Sequence, residues 1–138
     1  MSIDVLTAFL AVLLMFFLML AALEETINRN KEIEEFYYIK SKAVFFADSL
    51  VKNSNSEEPE KGIAFYNTEK KSVEENVIDL SLMEKIEEKN FPKYLKEIRL
   101  EFEEKKIIIG KKQANCFEAR RFVLVKEKKG VLFVSVCK

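Results

Sequence analysis

Few residues in this chain have the type and spacing to do chemistry. Glu101, Glu103 and Glu104 crowd three acids together. Paired carboxylates can run hydrolysis when a cleft holds them at a fixed separation. Here they lie among lysines near a strand end, which is the pattern of a solvated face. Arg120 and Arg121 could hold an anion, but neighbours on a strand point to opposite faces, so one can cover the sheet while the other is wet. Cys116 and Cys137 could form a disulfide or remain as two reduced, packed thiols. Asp4 is the one charged side chain ahead of Glu24. It could pair with a cation inside a helical bundle, or simply favour a helix N-terminus at a membrane edge.

What is missing narrows the choice further. The chain has no His, so the commonest general base and metal ligand is absent. Two cysteines this far apart exclude C-x-x-C zinc knuckles. The glycines, Gly62, Gly110 and Gly130, form no phosphate-cradling loop. With 23 basic and 23 acidic residues the net charge is zero, leaving no polybasic footprint for nucleic acid. The sequence therefore predicts no catalytic residue, metal, cofactor, small-molecule ligand or nucleic-acid partner.

The elements that must position these residues begin with the N-terminus. Val5–Leu23 is apolar apart from Thr7. At 1.5 Å per residue this run is about 28 Å long, against a bilayer hydrocarbon thickness of about 30 Å. It is apolar all round, unlike the amphipathic helix of a globular surface. A helix buried in a soluble core would need more chain around it than residues 54–138 supply. A cleaved signal peptide would show a basic start, a shorter run and small residues before the cut, and Ala21-Ala22-Leu23-Glu24 fits poorly. A retained membrane span is the expectation. Arg29 and Lys31 after the span weakly favour the C-terminal part inside, whereas a disulfide would place it outside; outside is the expected orientation.

Helix-compatible sequence continues without Gly or Pro to about Asn53. Leu23, Ile27, Ile33, Phe36, Tyr37, Ala43, Val44, Ala47, Leu50 and Val51 recur at helical spacing. A second stripe of Tyr38, Phe45 and Phe46 widens the apolar surface. It is open whether the rest of the chain wraps both stripes or one serves self-assembly. Asn53–Pro59 reads as a helix stop and exposed linker.

Beyond it, strands are expected over Gly62–Tyr66 and Val73–Leu80. A short helix follows from Leu82 to near Pro92, capped by Asp79 or Ser81. Ile98, Leu100 and Phe102 alternate as a strand that returns through Ile107–Ile109. Phe117–Val125 and Val131–Cys137 form a hairpin through Glu127–Gly130, with the last strand central because it is apolar on both faces. In that register Val125 faces Val131 and Cys137 faces Ala119, so a bridge to Cys116 needs a bulge or a fold-back of Gln113–Cys116. The predicted fold class is α+β: a long N-terminal helix packed on a small antiparallel meander. Residues 1–23 are the membrane or assembly helix, 24–53 the amphipathic stem and 54–138 the β-rich head.

Ser2-Ile3-Asp4 opening an apolar run to Leu23, the amphipathic continuation and a Cys-bounded terminal hairpin together resemble the archaeal type IV pilin-like proteins. The resemblance implies that Asp4 neutralises the terminal amine of a neighbouring subunit. It also implies that Val5, Phe9, Leu13, Phe16 and Leu20 bundle into a filament core with other pilin-like subunits. Precursors of that family carry a short basic leader removed by a dedicated peptidase. A start placed late, the numbering of a trimmed form and an unprocessed protein all stay open here. Abundant archaeal filament subunits often have Ser/Thr-rich, glycosylated heads. A Lys/Glu-rich head with no N-x-S/T sequon implies a minor subunit instead. The expected function is a membrane-anchored structural subunit of a surface filament or its assembly complex. The alternative is a non-polymerising, single-span protein whose head binds a partner or ligand.

Overall fold

The computed structural model describes residues 3–138. Met1 and Ser2, the latter part of the opening motif, lie outside the described residues. The chain forms α1 (Ile3–Lys52), β1 (Ala64–Asn67), β2 (Ser72–Ile78), α2 (Leu80–Met83), β3 (Leu95–Phe102), β4 (Lys105–Gly110), β5 (Cys116–Val125) and β6 (Lys128–Cys137). Two compact units divide within α1, one ending at Tyr37 and one running from Tyr38 to Lys138. The fold class is α+β, with a helix packed on a mixed six-stranded sheet.

Within the second unit the helix is held by its small residues. Ile39, Ala43, Ala47, Leu50 and Val51 are buried, and steps of four, four, three and one keep them on one face. Ala43 and Ala47 are fully covered, so the backbone lies close to the sheet. Leu50 alone contributes about 2 kcal/mol by leaving water. The opposing core comes from Ile98, Leu100 and Phe102 on β3, Ala119, Val123 and Val125 on β5, and Leu132, Val134 and Val136 on β6. Ile63, Ile78, Leu82, Met83 and Ile86 close its end. Of the second stripe, Phe46 packs against this core, while Tyr38 and Phe45 stay exposed. The two ways of reading that stripe thus divide residue by residue.

The helix stops where polar side chains offer the backbone other partners. Asn55 Oδ1 accepts from the N–H groups of Glu57 and Glu58. The Ser49 hydroxyl donates to the Lys61 carbonyl at 2.8 Å, fastening the linker back onto the helix. Asp79 caps α2 through Ser81 N–H. That helix is shorter than expected and begins at Leu80; Ile86 is buried from irregular chain beyond it. Gly110 has φ +82°, and a Cβ there would meet the Lys96 carbonyl oxygen at 2.1 Å, so glycine is required at the end of β4.

The strand order is β1-β2-β5-β6-β3-β4, which corrects the expected meander. β5 and β6 insert between two earlier hairpins, and β2 runs parallel to β5. β6 is central as expected, paired to β5 on one side and β3 on the other. The expected β5–β6 register is also corrected. Val125 faces Lys128 rather than Val131, and the turn is Lys126-Glu127 with φ of 49° and 67° at its two residues. A two-residue turn with both φ positive matches the twist of paired strands, which a four-residue loop ending in Gly130 need not do. Gly130 lies in the strand instead, where a Cβ would meet the Glu101 carbonyl oxygen at 2.9 Å. The new register brings Cys116 directly opposite Cys137.

Candidate functional site

Asp4 lies in the first turn of α1, and Thr7 Oγ1 donates to its backbone carbonyl at 2.9 Å. Val5, Phe9, Leu13, Phe16 and Leu20 follow at steps of four, four, three and four, which sets them along one side of the helix. All five side chains are exposed, and so are Leu14, Phe17, Leu18 and Met19 around the rest of the circumference. The helix is long and apolar enough to cross a membrane, and none of that stretch is buried. A soluble helix does not leave this much apolar surface uncovered, because water exacts about 25 cal/mol for each Å².

Cys116 and Cys137 are joined in a disulfide. The bond needs neither a bulge nor a fold-back, because the observed register already opposes the two residues with their Cα atoms 4.1 Å apart. The pair lies on the sheet face away from the helix.

That outer face also carries an ionic layer that sequence reasoning missed. Arg99 on β3 contacts Glu97, Glu101 and Glu118 at 3.3, 3.1 and 3.1 Å. Lys112 and Arg120 reach Glu118 from the other side. Burial pushes the Glu118 carboxyl up, but Lys112, Arg99 and Arg120 together outweigh it and hold it below the ordinary carboxylate range. The guanidinium groups of Arg99 and Arg120 stack on Phe133, 4.2 and 5.3 Å from its ring centre. Glu97 is buried on this face because Lys112 N–H donates to it at 2.9 Å, bringing the loop before β5 over the sheet. The period-two run Glu97, Arg99, Glu101 was the legible signal, but their ion pairs depend on which strand lies beside β3.

On the inner face Arg121 Nε donates to Asp48 on α1 at 2.6 Å. This bond holds the Asp48 carboxyl below its ordinary value, against the opposing effect of burial and with lesser help from the nearby charges of Arg121 and Lys52. Arg120 and Arg121 therefore serve opposite faces, as their adjacency predicts. Glu101, Glu103 and Glu104 are not drawn into one cleft. Glu101 pairs with Arg99 and Lys106, and Glu103 with Lys128. Among the described residues no cluster of His, Cys, Asp or Glu could hold a metal ion. The arrangement offers charge pairing and apolar contact. No family model, curated protein or solved structure matches the chain.

Proposed function

We propose that this chain is a membrane-anchored, pilin-like structural subunit of a cell-surface type IV pilus-like filament or of its assembly complex. The observation that carries the reading is the stretch 3–23 of α1: an unbroken helix, apolar on every side and unburied, with its one acid in the first turn. A plain tether needs no acid at that position. Side-by-side packing of such helices buries Val5, Phe9, Leu13, Phe16 and Leu20 against their counterparts, and Asp4 meets a cation of the neighbouring subunit. Before assembly the same surface sits in the bilayer. The Cys116–Cys137 disulfide supports a head held in an oxidising compartment, outside the membrane.

The test is incorporation into filaments by the full chain carrying Asp4→Ala or Leu14→Lys. Both variants are expected to drop out of filaments while residues from Tyr38 onward keep their secondary structure and disulfide. Normal incorporation of both would sink the proposal. Discrete monomers or dimers in detergent, with Asp4→Asn tolerated, would favour a non-polymerising anchor instead.

A further inference from the structure

β5 is paired along its length to β6 but meets β2 at the single pair Val77–Leu124. The direction of its other backbone groups follows from the cystine. Cys137 N–H donates to the Tyr94 carbonyl, just ahead of β3, at 2.8 Å. It therefore points away from Cys116, and the two cysteines form a non-hydrogen-bonded pair. By alternation the N–H and C=O groups of Glu118, Arg120 and Phe122 also point away from β6, toward the side from which β2 has splayed. Among the described residues one of these groups is engaged: the Arg120 carbonyl accepts from Arg121 Nη1 at 2.9 Å.

A row of strand donors and acceptors open on one side is a template for another strand. Two side-chain features state which kind. Phe122 is 85% exposed and lines, with Val123, Leu124, Asn76, Lys129 and Gly130, a cavity of about 300 Å³ that reaches from β6 across β5 to β2. Two residues earlier, on the same outer face, Arg120 bonds Glu118 along its strand yet keeps its side chain 70% exposed, open to a second carboxylate. Glu118, the next position along, is already held by three cations and asks for nothing more.

We propose that the β5 edge from Glu118 to Phe122 is a strand-addition site for an extended segment of a partner protein. The partner's outward side chains are an apolar residue over Phe122 and, two positions on, an acid opposite Arg120. Main-chain bonds supply the affinity, and the two side chains set the register. A second β5 would also bring an acid to Arg120, since Glu118 and Arg120 flank Ala119. In that register, however, Phe122 would face Cys116, whose small side chain is already tied to Cys137, so a second copy leaves most of the exposed ring uncovered. The site does not depend on whether the chain polymerises.

The experiment uses the full chain in detergent micelles and the peptide acetyl-Thr-Ile-Thr-Glu-Val-Thr-amide, with a control in which Lys replaces Glu. The expected result is saturable slowing of amide exchange at Glu118, Arg120 and Phe122, with no change at Ala119 and Arg121, whose amides face β6. The Lys peptide should bind about fivefold more weakly, from exchanging an opposite for a like charge across the pair. Arg120→Pro should abolish binding while leaving the β5–β6 ladder intact, because the N–H it removes does not face β6. Phe122→Ser, at an exposed position, should weaken it. The proposal is overturned if the alternating amides gain no protection or if both peptides bind equally. It also fails if Phe122→Ser binds like the parent, or if protection rises with protein concentration in the absence of peptide, the mark of a second copy on the edge.

Discussion

Opening the Cys116–Cys137 bond should cost the second unit about 3 kcal/mol. The bond closes a sequence separation of 21 residues, and restricting an unfolded chain over a loop of that length is worth about 3 kcal/mol at room temperature. The native side of the balance changes little, because the two residues are already opposed by the β5–β6 register and Cys137 keeps its backbone bond to Tyr94. The double substitution Cys116→Ser, Cys137→Ser is the perturbation, with reductant on the parent as an independent route. Urea unfolding of the full chain in micelles, followed by far-ultraviolet circular dichroism, reads the effect. The native spectrum should be unchanged and the midpoint lower, and in a thermal scan the shift should be about 10–20 °C. A loss below about 1 kcal/mol, with mass spectrometry showing the bond open, would refute the chain-entropy argument. A changed native spectrum would refute the claim that the register stands without the bond.

Two further outcomes follow from the same unit. The depressed Asp48 carboxyl makes its ion pair with Arg121 pH-dependent: the stability it adds is complete above the ordinary carboxylate range and is lost as pH falls through the depressed folded value. Asp48→Asn should flatten that part of the acid limb in unfolding midpoints measured from about pH 6 to pH 2, with a difference below about 1 kcal/mol because both partners are partly solvated. An unchanged acid limb would show that the pair adds nothing. At the β5–β6 turn, Lys126 and Glu127 occupy positive φ, a conformation that suits Asn and Gly far better. Lys126→Asn with Glu127→Gly should therefore raise stability by about 1 kcal/mol, and a lowered midpoint would contradict the assigned turn.

The parts of the fold that were readable in the chain are those set by local periodicity. The apolar run, the buried stripe of Ala43, Ala47, Leu50 and Val51, and the central place of β6 each follow from side-chain spacing that no distant segment can alter. Two errors have one origin. Lys126-Glu127 carries no glycine, so the sequence points to a loop ending at Gly130, and the resulting offset of three residues takes Cys116 out of register with Cys137. The parallel contact of β2 with β5 was unreadable because it depends on how two hairpins enclose a third, which leaves no trace in either sequence. The outer ionic layer was hidden for the same reason: Glu118 and Arg99 become neighbours only once β6 lies between their strands.

The position of β6 also fixes when the sheet can form. Of the six strands it is the last to be synthesised and the one that joins β3 to β5. Until Lys128–Cys137 has emerged, β3–β4 and β1–β2 are separate hairpins, each marginal alone in water. The apolar N-terminal helix, by contrast, is complete after its first two dozen residues. On the proposed reading of that helix as an anchor, membrane engagement precedes folding of the second unit; any stall before β6 leaves Leu100, Ala119 and Val123 unburied, in the form that quality-control proteases recognise.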